Sequence, residues 1–138
     1  DECLNFLSIY GINLGIIFQI IDDILGTFGD EKVTGKPADG DIRENKLTAL
    51  KLTALSNLGN SDKIQLIELL ENPRMTHNDV QEVKDLFNKV DAVYSCKELA
   101  KRYFQEAKSS LDKLKPFINQ SEVEFFESLL KFVMERKF

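Results

Sequence analysis

Cysteine is scarce in this chain. Cys3 and Cys96 are the only two, too few and too far apart for a disulfide framework, which fits a reducing, cytoplasmic setting. Each reads as a small core residue rather than a nucleophile. Histidine is scarcer still: His77 stands alone, without a cysteine or second histidine nearby, and reads as an exposed bystander rather than a metal ligand. Positive charge is in deficit, with 18 Lys and Arg against 23 Asp and Glu and a net charge of −5. That balance argues against nucleic acid or an anionic membrane surface as the main partner. No uninterrupted apolar run reaches the ~18 residues of a membrane span, because the best candidate is broken by Asn13, Gln19, Asp22 and Asp23. There is no signal-peptide pattern, no repeat, no low-complexity tract and no alternating strand pattern. The chain opens at Asp1 without an initiator methionine, which hints at a fragment. What remains is 138 residues with 43% hydrophobic and 30% charged content, enough for one globular domain with a real core, and all-α in its patterning.

The stretch that organises the chain is Gly15-Ile-Ile-Phe-Gln-Ile-Ile-Asp-Asp-Ile-Leu-Gly26. Its apolar residues leave no helix face free for water, which predicts a buried helix. Ser8, Gly11, Gly15, Gln19, Asp22 and Gly26 nevertheless recur at spacings of three and four, and at roughly 100° per residue they share an arc of about 80°. Asp23 lies at the edge of that arc. Two neighbouring carboxylates are costly to desolvate together unless a cation neutralises them. The stripe therefore points to a polar cavity holding positive charge, and aspartate oxygens completed by phosphate and water suit Mg²⁺. The other reading is a solvent-facing stripe on an ordinary amphipathic helix. Against it stand the two glycines, which cost helix stability and have no use on a wet face.

The first helix is predicted over about Cys3 to Leu25, ending at Gly26-Thr27-Phe28-Gly29. Asp30 to Asn45 reads as a sixteen-residue loop without structure, of the kind that is usually functional or disordered. Its Asp39 and Asp41 lack the spacing and closing glutamate of an EF-hand. A second helix is expected from about Lys46 to Leu58, with Leu47, Leu50, Ala54 and Leu58 inward. A third follows Ser61 as N-cap and ends before Asn72-Pro73. Thr76 to Asp79 predicts a capping box opening a fourth helix to about Lys89. A fifth covers about Ala92 to Lys115, with Cys96, Leu99, Ala100, Tyr103, Ala107, Leu111 and Leu114 at core spacing, before Pro116. Ser121 to Glu124 reads as a second capping box, opening a sixth helix with Phe126, Leu129, Leu130 and Val133 inward.

Phe18-Gln19-x-x-Asp22-Asp23, Gly35-Lys36-Pro37 and Asp41-Ile42-x-Glu44-x-Lys46-x-Thr48, in this order and spacing, resemble the second aspartate-rich region of trans-type isoprenyl diphosphate synthases (the polyprenyl synthetase family), which include the farnesyl and geranylgeranyl diphosphate synthases. The resemblance implies the helical bundle of the isoprenoid synthases around a central cavity, and condensation of isopentenyl diphosphate with an allylic diphosphate to give a longer isoprenyl diphosphate. It implies that Asp22 and Asp23 hold Mg²⁺ against the allylic diphosphate while Gln19 lines the site. Lys36 would contact that diphosphate, and Lys46 would lie near it on a closing loop. Arg136 and Lys137 resemble the family's basic tail over isopentenyl diphosphate; equally, they read as cations at a helix C-terminus. The chemistry suits these residues in its own right. Departure of a diphosphate from an allylic carbon calls for cations aimed at it. The carbocation left behind calls for a dry, apolar wall, such as the isoleucines beside the aspartate pair.

Two departures from the family pattern stand out. Where the family has Asp-Asp-x-x-Asp, this chain has Gly26 at the fifth position, which puts one metal's coordination in question. Asp-Asp also occurs only once, so the first aspartate-rich motif of the family is missing, and residues 1–138 read as the C-terminal part of a single all-helical domain, inactive alone. The resemblance further implies a homo-oligomer, a dimer, for the complete protein. The competing class is a non-catalytic helical subunit or interaction module, which would not need Lys36 and Lys46 flanking the aspartate pair.

Overall fold

A computed structural model of the chain describes residues 1–137. All the described regular structure is helical, as the sequence predicts: α1 (Glu2–Phe28), α2 (Glu31–Thr34), α3 (Gly40–Arg43), α4 (Ala49–Asn57), α5 (Asn60–Glu71), α6 (His77–Lys89), α7 (Ala92–Leu114), a 3₁₀ turn (Lys115–Phe117) and α8 (Gln120–Met134). The helices divide into two compact units. One contains Asp1–Ile21 and Glu98–Arg136; the other contains Asp22–Lys97 and Lys137. Helices α1 and α7 contribute to both.

The first unit is built from most of α1, the C-terminal part of α7, and α8. Ala100, Ala107, Leu111 and Leu114 form the buried stripe of α7, and Val123, Leu130 and Val133 that of α8. Two long-range hydrogen bonds fix α1 among them. Tyr10 Oη donates to the Phe126 carbonyl at 2.7 Å, with the two rings edge-to-face at 5.1 Å, and Ser110 Oγ donates to the Phe6 carbonyl at 2.5 Å. The second capping box is real but begins two residues earlier than expected. Asn119 accepts from the Glu122 amide and Glu122 returns the bond to the Asn119 amide, while Ser121 is already helical and donates to Asn119 Oδ1. Phe126 and Leu129 are only half-buried, and Val123 takes the inward place.

The second unit is organised by α6. Thr76 and Asp79 close the predicted capping box, and Val80, Val83, Leu86 and Phe87 face inward at helical spacing. Against them pack α3, α4 and α5, supplying Ile42, Leu50, Ala54, Leu66 and Leu70. Each fully buried leucine contributes about 1.5–3 kcal/mol by leaving water. Three boundaries differ from expectation. Helix α4 begins at Ala49 after the N-cap Thr48, so Leu47 lies in the extended entry and is 72% exposed rather than inward. Gly59, not Ser61, occupies the N-cap of α5. The segment from Asp30 to Asn45 is not structureless: Asp30 caps α2 through the Lys32 amide, Gly35 ends it in the left-handed region, and Ala38 and Ile42 are buried.

The expectation that α1 is buried all round is corrected. Its buried residues, Tyr10, Asn13, Ile17, Ile20, Ile21, Ile24 and Thr27, with Asp23 at their edge, mark a single core-facing side. The stripe of small and polar residues lies about 180° away by helical periodicity. Ser8, Gly11, Gly15, Gln19 and Asp22 are all exposed, as are Leu4, Ile12 and Phe18. By length and composition alone α1 is apolar enough to cross a bilayer; its outer face carries the polar side chains Ser8, Gln19 and Asp22.

Candidate functional site

The site is built in the second unit, where the last two turns of α1 meet the chain between α3 and α4. Helix α1 runs past Gly26 to Phe28, a turn farther than the sequence suggests, and stops where the Gly29 amide donates back to the Leu25 carbonyl at 2.9 Å. Gly26 is needed for a close approach. A Cβ built there would lie 2.5 Å from Asp41 Oδ2 and 3.2 Å from its Cγ. The Asp41 carboxylate thus rests against the helix where the family's third aspartate would stand.

Asp41 uses its other oxygen on Lys46. Oδ1 lies 3.1 Å from Lys46 Nζ, and Glu44 Oε2 is 3.5 Å from the same ammonium. The hydrogen bond that Lys46 donates to Asp41, and then the charges of Asp41 and Glu44, push the Lys46 ammonium above the ordinary lysine value. The backbone repeats the link, since the Lys46 amide donates to the Asp41 carbonyl at 3.0 Å. Between them Asn45 adopts φ 51°, a left-handed conformation that asparagine tolerates, and its Oδ1 accepts from Lys51 Nζ at 2.6 Å. Lys51 lines the same crevice as Thr27, Asp41, Lys46 and Thr48. The sequence offered only its nearness to Lys46 and Thr48 as a signal.

The two aspartates are treated differently. Asp22 is exposed. Asp23 is 7% exposed, and its Oδ2 accepts the amide of Ala49, the first residue of α4, at 2.7 Å. Local capping of that helix comes from Thr48, whose Oγ1 accepts from the Lys51 amide. Cys96 is fully buried, with Thr53 Oγ1 3.5 Å from its sulfur. Burial pushes its thiol up, and the charge of Asp23 adds to the effect, outweighing the hydrogen bond with Thr53. On the far side of α3, Asp39 pairs with Arg43 at 2.5 Å, and that guanidinium holds the Asp39 carboxyl below its usual value. Arg43 Nη1 also donates to the Met75 carbonyl at 2.6 Å, tying α3 to the entry of α6.

The remaining candidates are more scattered. Lys36 is exposed, its backbone held by Thr34 Oγ1 on both sides. Gln19 is exposed on α1 and belongs to the first unit. Arg136 is 8% exposed, with its guanidinium 4.2 Å from the centre of the Phe18 ring, and Lys137 is exposed. Both follow the end of α8, whose last-turn cation is Lys131, so neither lies within the helix. Among the described residues, no group of three or more histidine, cysteine, aspartate or glutamate side chains is placed to hold a metal ion.

The chain's helical architecture and this motif recur together in known proteins. Residues 1–90 match the family model described as polyprenyl synthetase. Geranylgeranyl diphosphate synthase of Saccharolobus solfataricus is 36% identical over 99% of this chain and 41% of its own, and geranylfarnesyl diphosphate synthase of Aeropyrum pernix is 33% identical over 99% and 41%. The crystal structure of geranylgeranyl pyrophosphate synthetase from Pyrococcus horikoshii superposes with a TM-score of 0.87 at 33% identity, over 99% of this chain and 40% of that one. A geranylgeranyl pyrophosphate synthase from Corynebacterium glutamicum, solved with isoprenyl diphosphate and magnesium, gives 0.87 at 26%, over 99% and 38%. The chain thus spans about two-fifths of the length of the relatives it matches. With the family model covering residues 1–90 and the likeness in sequence and fold running over nearly the whole chain, this protein belongs to the polyprenyl synthetase family.

Proposed function

We propose that this chain forms the diphosphate-binding side of a prenyltransferase that joins isopentenyl diphosphate to an allylic diphosphate. One observation carries the reading. Asp22 and Gly26 are one helical turn apart on the same face, and Asp41, packed on Gly26, brings the Lys46 ammonium to that face. An exposed carboxylate and a held cation therefore share one end of α1.

Mg²⁺ fits the donor set in a limited way. Asp22 presents an exposed carboxylate, a hard oxygen donor of the kind Mg²⁺ takes together with waters and substrate phosphate oxygens. When bound, the ion would be held by Asp22, with Asp23 behind it, and would supply Lewis-acid neutralisation of the departing diphosphate. Lys46, and Lys36 from the exposed turn before Pro37, would stabilise the negative charge that develops on the leaving group. Gln19 would line the approach along α1. Of the terminal pair, Lys137 is the exposed cation suited to isopentenyl diphosphate, whereas Arg136 is spent on Phe18. A cytoplasmic location and a dimeric assembly belong to the same proposal. Two unpaired cysteines support the first, and the exposed apolar residues Leu4 and Ile12 on α1 support the second.

The test is calorimetric titration of the chain with inorganic pyrophosphate, in Mg²⁺ and in EDTA. Binding is expected only with Mg²⁺ and lost in Asp22→Ala, and equal binding in both buffers would remove the metal role. In an enzyme reconstituted to full length, Lys46→Ala lowers turnover by on the order of 10²-fold, the usual effect of losing one preorganised charge partner.

A further inference from the structure

We propose that Asp23 is a positioning residue rather than a metal ligand: it clamps the start of α4 to α1 and so holds Lys46 on the Asp22 face. The proposal rests on the reading of that face given above. Consecutive helix residues point about 100° apart, so one face cannot present Asp22 and Asp23 equally. The structure separates them, with Asp22 in solvent and Asp23 buried. Asp23 Oδ2 accepts the Ala49 amide at 2.7 Å, across 26 residues of sequence. Helix α4 does not need this bond to begin, because Thr48 already caps it locally. What the bond adds is a tie between two helices.

A second tie lies one turn along α1. Asp41 packs against Gly26, and Asp23 and Gly26 are three residues apart. The chain from Asp41 to Ala49 is thus pinned at both ends to a single turn of α1, and Lys46 lies between the pins with its ammonium on Asp41. Releasing the Ala49 end leaves the stretch that carries Lys46 held to α1 through Asp41 alone, with the Lys46 amide bonded only within the stretch, to the Asp41 carbonyl. A buried carboxylate bonded to a main-chain amide is well suited to that task, since hydrogen bonds to a charged partner are the stronger ones.

Four single variants and one double variant of this chain test the assignment, with pyrophosphate plus Mg²⁺ as the binding probe, amide exchange as the structural probe and thermal unfolding as the folding control. Asp23→Asn keeps an acceptor for Ala49 and should bind within about threefold of wild type, since a neutral hydrogen bond replaces a charged one. Asp23→Ala should bind about 10-fold more weakly and speed exchange of the Ala49 and Lys46 amides by about 10-fold. Ala49→Pro deletes the donor and leaves the Asp23 carboxylate intact. Proline is favoured at the first helical position, and Thr48 is already extended at φ −100°, ψ 162°, so the backbone accepts the ring while the Asp23 carboxylate must turn aside from it, a cost that thermal unfolding reads separately. This variant should weaken binding as much as Asp23→Ala, and the two changes together should do no more than either alone. Asp22→Asn should abolish binding and leave Ala49 exchange unchanged. Asp23→Asn losing binding as fully as Asp22→Asn, or Ala49→Pro binding like wild type, would overturn the proposal. If the wild-type chain binds no pyrophosphate, the functional reading fails by itself. Amide exchange still decides the clamp: unchanged protection of Lys46 in Ala49→Pro would sink it.

Discussion

Gly26→Ala should destabilise the protein although it replaces glycine inside a helix. On propensity alone the change favours folding by about 0.5–1 kcal/mol. The added methyl group, however, would lie 2.5 Å from Asp41 Oδ2, so Asp41 must turn away. Its short side chain cannot do so and still hold Lys46 at 3.1 Å. Forcing a methyl group into a filled space typically costs ~1–3 kcal/mol. The Lys46 pair adds little, because that side chain is 55% exposed and solvent screens such a pair. The net expectation is a loss of about 1 kcal/mol, or roughly 4 °C in Tm. A double-mutant cycle isolates the cause. In an Asp41→Ala background the space is empty, and Gly26→Ala should then stabilise by about 0.5–1 kcal/mol. Equal effects of Gly26→Ala in the two backgrounds, measured by urea unfolding, would refute the close approach.

Tyr10 and Cys96 give two further tests. Burial raises the Tyr10 phenol from 10.0 to about 12, so the unfolded chain ionises first as the solution becomes alkaline. This group's contribution to stability is complete below pH 10.0 and falls away as the pH climbs toward about 12. Tyr10→Phe should flatten that alkaline limb while costing about 1 kcal/mol at neutral pH through the lost bond to Phe126, and a denaturation series between pH 8 and 11 (about the range where tyrosine titrates) reads both. Cys96 is fully buried with its thiol pushed up, whereas Cys3 is half-exposed. An aromatic disulfide reagent should therefore modify Cys3 first and Cys96 on the order of 10²-fold more slowly, at a rate that follows opening of the fold; equal rates would contradict the burial.

The helices were legible because their signals are local. Val80, Val83, Leu86 and Phe87 repeat at helical spacing, and Thr76 with Asp79 is a cap that can be read from four letters. Boundaries slipped where two side chains could serve the same role, as with Asn119 and Ser121, or where an apolar residue extended a period past its helix, as with Leu47. The candidate site was legible as composition and not as arrangement. Asp22, Asp23, Lys36 and Lys46 could be named, but nothing local announces that Asp23 reaches Ala49 or that Gly26 exists to receive Asp41. Both facts depend on the chain returning to α1 after the turns of α2 and α3. The all-round greasiness of α1 misled for the same reason: which side of it meets the core is decided by α7 and α8, far along the sequence.

That distance has a consequence during synthesis. Tyr10 waits for Phe126, 116 residues later, and Phe6 waits for Ser110, 104 residues later. At about 5–20 residues per second, the first of these intervals lasts about 6–23 s. Through these intervals Tyr10 and Phe6 lack the partners that these two bonds supply. The unit around α6 has no such delay, since α3, α4 and α5 have all emerged by the time α6 is made. The bonds of the unit around α6 can therefore form while those that fix α1 to α7 and α8 are still waiting for their partners.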